Sequence, residues 1–139
     1  MAAQDLLLVV IALVAAGVWA ASNLRGRAAE LRAYWARSCS GRAWKRAFPG
    51  ASKGEIRAFL HLFVDAFAFP RNRALQFLPS DRVLAVYRAL YPSNELPDAL
   101  EVETLAEELS RTYRVSLGEL WSEELTLGQV FDRCHVPAA

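Results

Sequence analysis

Few side chains in this chain of 139 residues stand in patterns able to do chemistry. Cys134 and His135 are adjacent, a pairing that could supply a metal ligand or a nucleophile. No third ligand or base lies at a recognisable spacing, so the pair reads as a small buried thiol beside a proline-ended terminus. Cys39 and Cys134 are too far apart in sequence and too few to form a disulfide framework or a metal cluster, and free thiols suit a reducing compartment. His61 falls off the apolar stripe of its helix and reads as exposed, not catalytic. What remains is a concentration of acid: Asp98, Glu101, Glu103, Glu107 and Glu108. The pattern predicts no enzyme, no metal and no cofactor.

These acids must be carried by a helix. Asp98 sits where an N-cap belongs, and Glu101 three residues later completes a capping box. At 100° per residue, Val102, Leu105, Ala106, Leu109 and Tyr113 share one core face, which predicts a helix over 98–113. Glu101, Glu103, Glu107, Glu108 and the apolar Leu100 fall off that face. Acids near a helix start favour its dipole and its solubility, but Glu107 and Glu108 lie beyond the first turn, where that benefit fades.

The surrounding elements read as helices too. Ser52 and Glu55 form a second capping box, ahead of Ile56, Phe59, Leu60, Phe63, Val64 and Phe67 at helical spacing. Pro70 ends that helix, and a loop with Arg71, Asn72 and Arg73 follows. A short helix near 81–91 turns Val83, Leu84, Tyr87, Leu90 and Tyr91 inward. Ser116 and Glu119 read as a third box before a short turn through Trp121, which is expected to pack on the core. Thr126 opens a last helix with Val130 and Phe131 inward. No stretch alternates with a period of two, so no strand is expected.

Ahead of all this lies an apolar run. From Leu6 to Leu24 no residue is charged, and 19 helical residues rise about 28 Å, close to the thickness of a bilayer's hydrocarbon core. A cleaved signal peptide is the competing reading, since Val18 to Ser22 could serve as a cleavage site. The residues before the run hold Asp5 and no Lys or Arg, whereas Arg25, Arg27, Arg32, Arg37 and Arg42 follow it, which favours an uncleaved anchor with its C-terminal side in the cytoplasm. Three regions result: a transmembrane anchor at 1–24, a basic juxtamembrane helical connector at 25–51 and a helical domain at 52–139. Leu24, Ala28, Leu31 and Trp35 continue one helical stripe through the connector. Trp19, Arg25, Arg27, Arg32, Trp35 and Trp44 are the types that lie along lipid headgroups, making membrane lipid the first expected partner. The abundance of arginine and alanine is also what a GC-rich genome produces without any selection for lipid contact.

The net charge of +1 conceals two opposed halves. Residues 22–57 carry nine Lys and Arg against two acids, and residues 95–139 carry three Arg against ten acids. A nucleic-acid partner is not expected, because neither a glycine-rich nor an aromatic platform motif accompanies the basic stretch. The acidic half could instead dock on the basic half, within the chain or between neighbours, over a screening length of about 8 Å.

Asp98-Ala99-Leu100-Glu101, then Leu105, Leu109 and Tyr113, then Leu125 to Phe131, resemble the second half of an acyl carrier protein. Ser52–Phe67 would stand for that family's first helix, and Leu78-Pro79-Ser80-Asp81 is similar to its loop before helix II. The resemblance spans about 85 residues, of which the last 40 carry its specific features. It implies an all-α fold, a small acyl-carrier-like helical bundle, here behind a transmembrane helix. In the family, the serine of Asp-Ser-Leu bears a phosphopantetheine arm through its hydroxyl. Ala99 stands at that position and cannot form the ester, so no cofactor is implied. The family's helix II is also a recognition surface. The resemblance therefore implies an arm-less module whose Asp98, Leu100, Glu101, Glu103, Glu107 and Glu108 meet a protein partner with a basic surface, such as an enzyme of lipid or polyketide synthesis. A carrier modified at another serine and a structural subunit of a membrane complex are the alternatives.

Overall fold

The computed structural model describes residues 2–91 and 100–135. Helix α1 runs without a break over Ala2–Trp35, about 51 Å at 1.5 Å per residue. Its stretch Ala3–Ser22 has a mean hydropathy of 2.2, is long and apolar enough to cross a membrane, and is covered by no other part of the protein. The remaining elements are α2 (Gly41–Ala47), α3 (Lys53–Ala66), a 3₁₀ helix (Arg71–Gln76), α4 (Val83–Leu90), α5 (Leu100–Tyr113), α6 (Leu117–Leu120) and α7 (Leu127–Cys134). Among the described residues there is no strand, only an isolated bridge between Arg82 and Thr126. The protein is all-α, as its periodicity predicts.

Local signals explain most boundaries. Ser52 and Glu55 form both hydrogen bonds of a capping box at the start of α3, and Thr126 with Gln129 does the same for α7. Ser116 caps α6 by position but makes no side-chain hydrogen bond, so the third expected box is absent. The stretch expected to be a loop at Arg71–Arg73 is the first half of the 3₁₀ helix. α3 closes with the N–H of Phe69 on the carbonyl of Val64 and the N–H of Ala68 on that of Asp65, the pairing of a Schellman motif. Ala68 adopts φ 56° to make it, a conformation normally left to glycine.

The core has two linked aromatic groups. In one, Trp44, Phe48 and Phe59 close around Phe131, with Trp44 edge-on to Phe131 at 5.7 Å. In the other, Trp35, Phe63 and Phe69 surround Phe77, with Phe63 edge-on to Phe77 at 5.1 Å. Edge-to-face contacts of this kind match the positive ring edge to the negative face. The apolar stripe read on α3 is buried as expected, with Ile56, Phe59, Leu60, Phe63 and Val64 all inside. On α4 the buried residues are Val83, Val86, Ala89 and Leu90, whereas Leu84, Tyr87 and Tyr91 are only half-buried.

The stretch expected to be a connector is corrected in its second half. Ala51 and Trp44 belong to the core, and Leu31, Tyr34 and Trp35 pack against it, so the core draws on residues well before Ser52. A helix was expected to continue through this region, but α1 ends at Trp35 and a separate α2 follows an elbow at Ala36–Ser40. The N–H of Ser40 donates to the carbonyl of Leu75 there.

One relationship sets the position of the acidic helix. α4 starts beside the end of α1, where Arg37 meets Asp81, and packs against α1. The far end of α4 carries Tyr91, whose hydroxyl donates to Glu101 in the first turn of α5. α5 therefore starts beside the end of α4, and at its other end Tyr113 feels the charges of Cys134 and Glu55.

Candidate functional site: the outer face of α5

Leu105 and Leu109 anchor α5, with Val102, Ala106 and Tyr113 half-buried beside them, the face its spacing predicts. This orientation leaves Leu100 at the helix start 64% exposed. An apolar side chain so placed gains nothing from the fold of its own chain. Glu103 and Glu107 project outward as well, and neither forms an ion pair among the described residues. Asp98 and Ala99 lie outside the described residues.

Two of the expected recognition acids are otherwise engaged. Glu101 is half-buried under the hydroxyl of Tyr91, and its second carboxylate oxygen is buried without a hydrogen-bond partner among the described atoms. Glu108 is held by Arg111 at 2.5 Å, one turn along the same helix. Both are thus removed from the free acidic face, because each already has a donor within the chain. Three outward groups remain: Leu100, Glu103 and Glu107.

The expected membrane-interface residues divide in the same manner. Trp19 is exposed within the apolar span and Arg32 is exposed beyond it. Arg25 and Arg27 lie on α1, and their side chains fall outside the description. Trp35 is corrected: it packs edge-on against Phe69 at 5.2 Å and Phe77 at 5.7 Å, beneath the guanidinium of Arg73. Trp44 is corrected more sharply, with 0% exposure and its indole N–H donating to the carbonyl of Phe77 at 2.8 Å. Arginine and lysine beside a tryptophan look the same in sequence whether the ring faces lipid or a core. Trp121, expected on the core, is instead 40% exposed.

Cys134 is the last residue of α7 and His135 its C-cap. Burial pushes the Cys134 thiol up to about 12, which keeps it protonated near neutrality. His135 stacks parallel on Phe131 and has Nδ1 3.6 Å from a carboxylate oxygen of Glu55. That carboxyl is held below the usual glutamate value first by its cap bonds to Ser52 and then by His135. Among the described residues, no three His, Cys, Asp or Glu side chains gather where they could hold a metal ion. His61 lines an open cleft between α3 and α5 with Asp65, whose carboxylate is committed to Arg71 at 2.8 Å.

Among the described residues, no ion pair joins an acid of the acidic half to a cation of the basic half within one chain. The ion pairs are Arg37 with Asp81, Arg71 with Asp65, Arg82 with Glu124 and Arg111 with Glu108, together with the His135 and Glu55 contact. No acid of α5 reaches a cation of residues 22–57 among them. Tyr91, which sequence reading treats only as a core residue, proves to be the group that fixes Glu101; its place at a helix end before Pro92 offers no periodic signal for that role. Neither a family model, nor a curated protein, nor a solved structure matches the chain.

Proposed function

We propose that this protein is a membrane-anchored, non-catalytic, acyl-carrier-like module that docks a protein partner with a basic surface at the cytoplasmic face. The observation that carries the reading is the outer face of α5, where exposed Leu100 stands beside the unpaired Glu103 and Glu107. The carboxylates would steer encounter with a basic patch, and the leucine would provide the desolvated anchor. The order of elements from Ser52 onward supports the carrier-like comparison: two long helices, one short helix and a last capped one, with the 3₁₀ helix and α4 inserted between the first two. The excess of Arg and Lys just after the span supports the cytoplasmic placement.

Crosslinking in native membranes, followed by mass spectrometry, tests this reading. The expected result is a partner captured by the parent and lost with Leu100→Glu, or with Glu103→Lys and Glu107→Lys combined. Undiminished capture of every partner by both variants would eliminate α5 as the docking face.

A further inference from the structure

Several cations of the basic half gather around one cavity. A cavity of about 320 Å³ lies between α2, the first turns of α3 and the end of the 3₁₀ helix. Arg42, Lys45, Lys53 and Arg57 line it together with Ile56 and Leu75, and no carboxylate does. Glu55, between two of these cations in sequence, is turned onto the N–H of Ser52 and toward His135. Lys45 is fixed in place, its Nζ donating to the carbonyl of Ala51 at 2.6 Å. Arg42, Lys53 and Arg57 form no ion pair among the described residues. Leu75 adds a half-buried apolar wall beside these cations. Charges of one sign around an apolar-walled cleft focus its field and draw an anion in.

A separate observation points the same way. A second cavity, about 400 Å³, adjoins the first across the elbow and shares Cys39 and Arg42 with it. Arg37, Arg46 and Ser40 line this second cavity. Ser40 is 3% exposed, and its Oγ has no hydrogen-bond partner among the described atoms. A buried hydroxyl left unpaired is unfavourable.

We propose that the elbow between α1 and α2 is a binding site for a phosphate monoester carried on an apolar group. The phosphate sits among Arg42, Lys53 and Arg57, and the apolar part lies against Leu75. A dianion suits this excess of cations better than a single carboxylate does. A soluble alkyl phosphate and the headgroup of phosphatidic acid share this chemistry.

The full chain in nanodiscs of phosphatidylcholine, titrated with hexyl phosphate and inorganic phosphate and followed by phosphorus NMR, provides the test. Hexyl phosphate should bind more tightly than inorganic phosphate. Lys53→Gln with Arg57→Gln should weaken hexyl phosphate binding about tenfold or more, while Arg111→Gln, the loss of a single charge on α5, leaves it intact. Both substituted α3 residues are exposed, and an unchanged helical circular dichroism spectrum identifies a folded variant. Leu75→Asn should erase the preference for hexyl over inorganic phosphate without abolishing either. Nanodiscs containing phosphatidic acid separate the sources: displacement of hexyl phosphate assigns the ligand to the bilayer, and its absence assigns it to solution. Equal binding of hexyl phosphate by the parent and the folded double variant would overturn the proposal.

Discussion

Arg37 and Asp81, 44 positions apart, meet at 2.6 Å and join the end of α1 to the start of α4. Asp81 is 8% exposed, and the oxygen that receives Arg37 also accepts the N–H of Leu78 at 2.7 Å. The ion pair therefore does more than a surface contact would. It fixes the turn before α4, the helix whose far end meets the first turn of α5 through Tyr91 and Glu101.

Asp81→Asn should lower the stability of the domain by about 2 kcal/mol, the usual scale for losing hydrogen bonds to a charged group. Thermal unfolding of the detergent-solubilised chain, followed by near-ultraviolet circular dichroism, measures this. Arg37→Gln should cost less, because Arg37 is about a third exposed and water replaces part of its contact.

Trp44 makes an opposite prediction to the one its basic neighbours suggest. Because the ring is inside the core and its N–H bonds Phe77, Trp44→Phe should destabilise by about 1–3 kcal/mol through the orphaned carbonyl and lost volume. Partition of the chain into membranes should not change. A variant that unfolds at the parent temperature but binds lipid less would restore the headgroup reading of this residue.

Ala68→Gly should stabilise the protein. At φ 56° an L-residue with a Cβ is strained by about 1 kcal/mol, whereas glycine is not. The gain is partly offset because glycine gives the unfolded chain more freedom. A melting temperature raised by a few degrees is the expected outcome, and a lowered one would mean the helix end relaxes around alanine.

The two thiols should react very differently. Cys39 is exposed, and Cys134 is half-buried with its ionisation pushed up to about 12. At pH 8 a maleimide should modify Cys39 first and Cys134 only on unfolding, which peptide mapping distinguishes. The linkage has a definite sign: with the folded value above the ordinary thiol value of 9.0, stability is whole below pH 9 and declines as pH rises from there toward 12. Cys134→Ala should flatten that part of the alkaline decline.

The chain by itself determined most of its helices, its long apolar N-terminal segment and the core face of α5, because each depends on residues a turn or two apart. Ile56 to Phe67 and Val102 to Tyr113 show their buried stripes through spacing alone, and Ser52 and Thr126 mark helix starts through local hydrogen bonds. Only tertiary structure decided what lies between those helices. Trp44 and Trp35 face a core that exists only once Phe77 and Phe131 arrive from distant parts of the chain. Gly128 shows the same dependence: a Cβ there would meet the carbonyl oxygen of Pro79 at 2.9 Å, a closeness no local pattern announces. The candidate sites divide similarly. Leu100, Glu103 and Glu107 point outward by helix geometry, whereas the engagement of Glu101 by Tyr91 and the gathering of Arg42, Lys45, Lys53 and Arg57 around one cavity required the fold. A helix's period repeats within the sequence, but contacts between helices follow from how several of them pack at once.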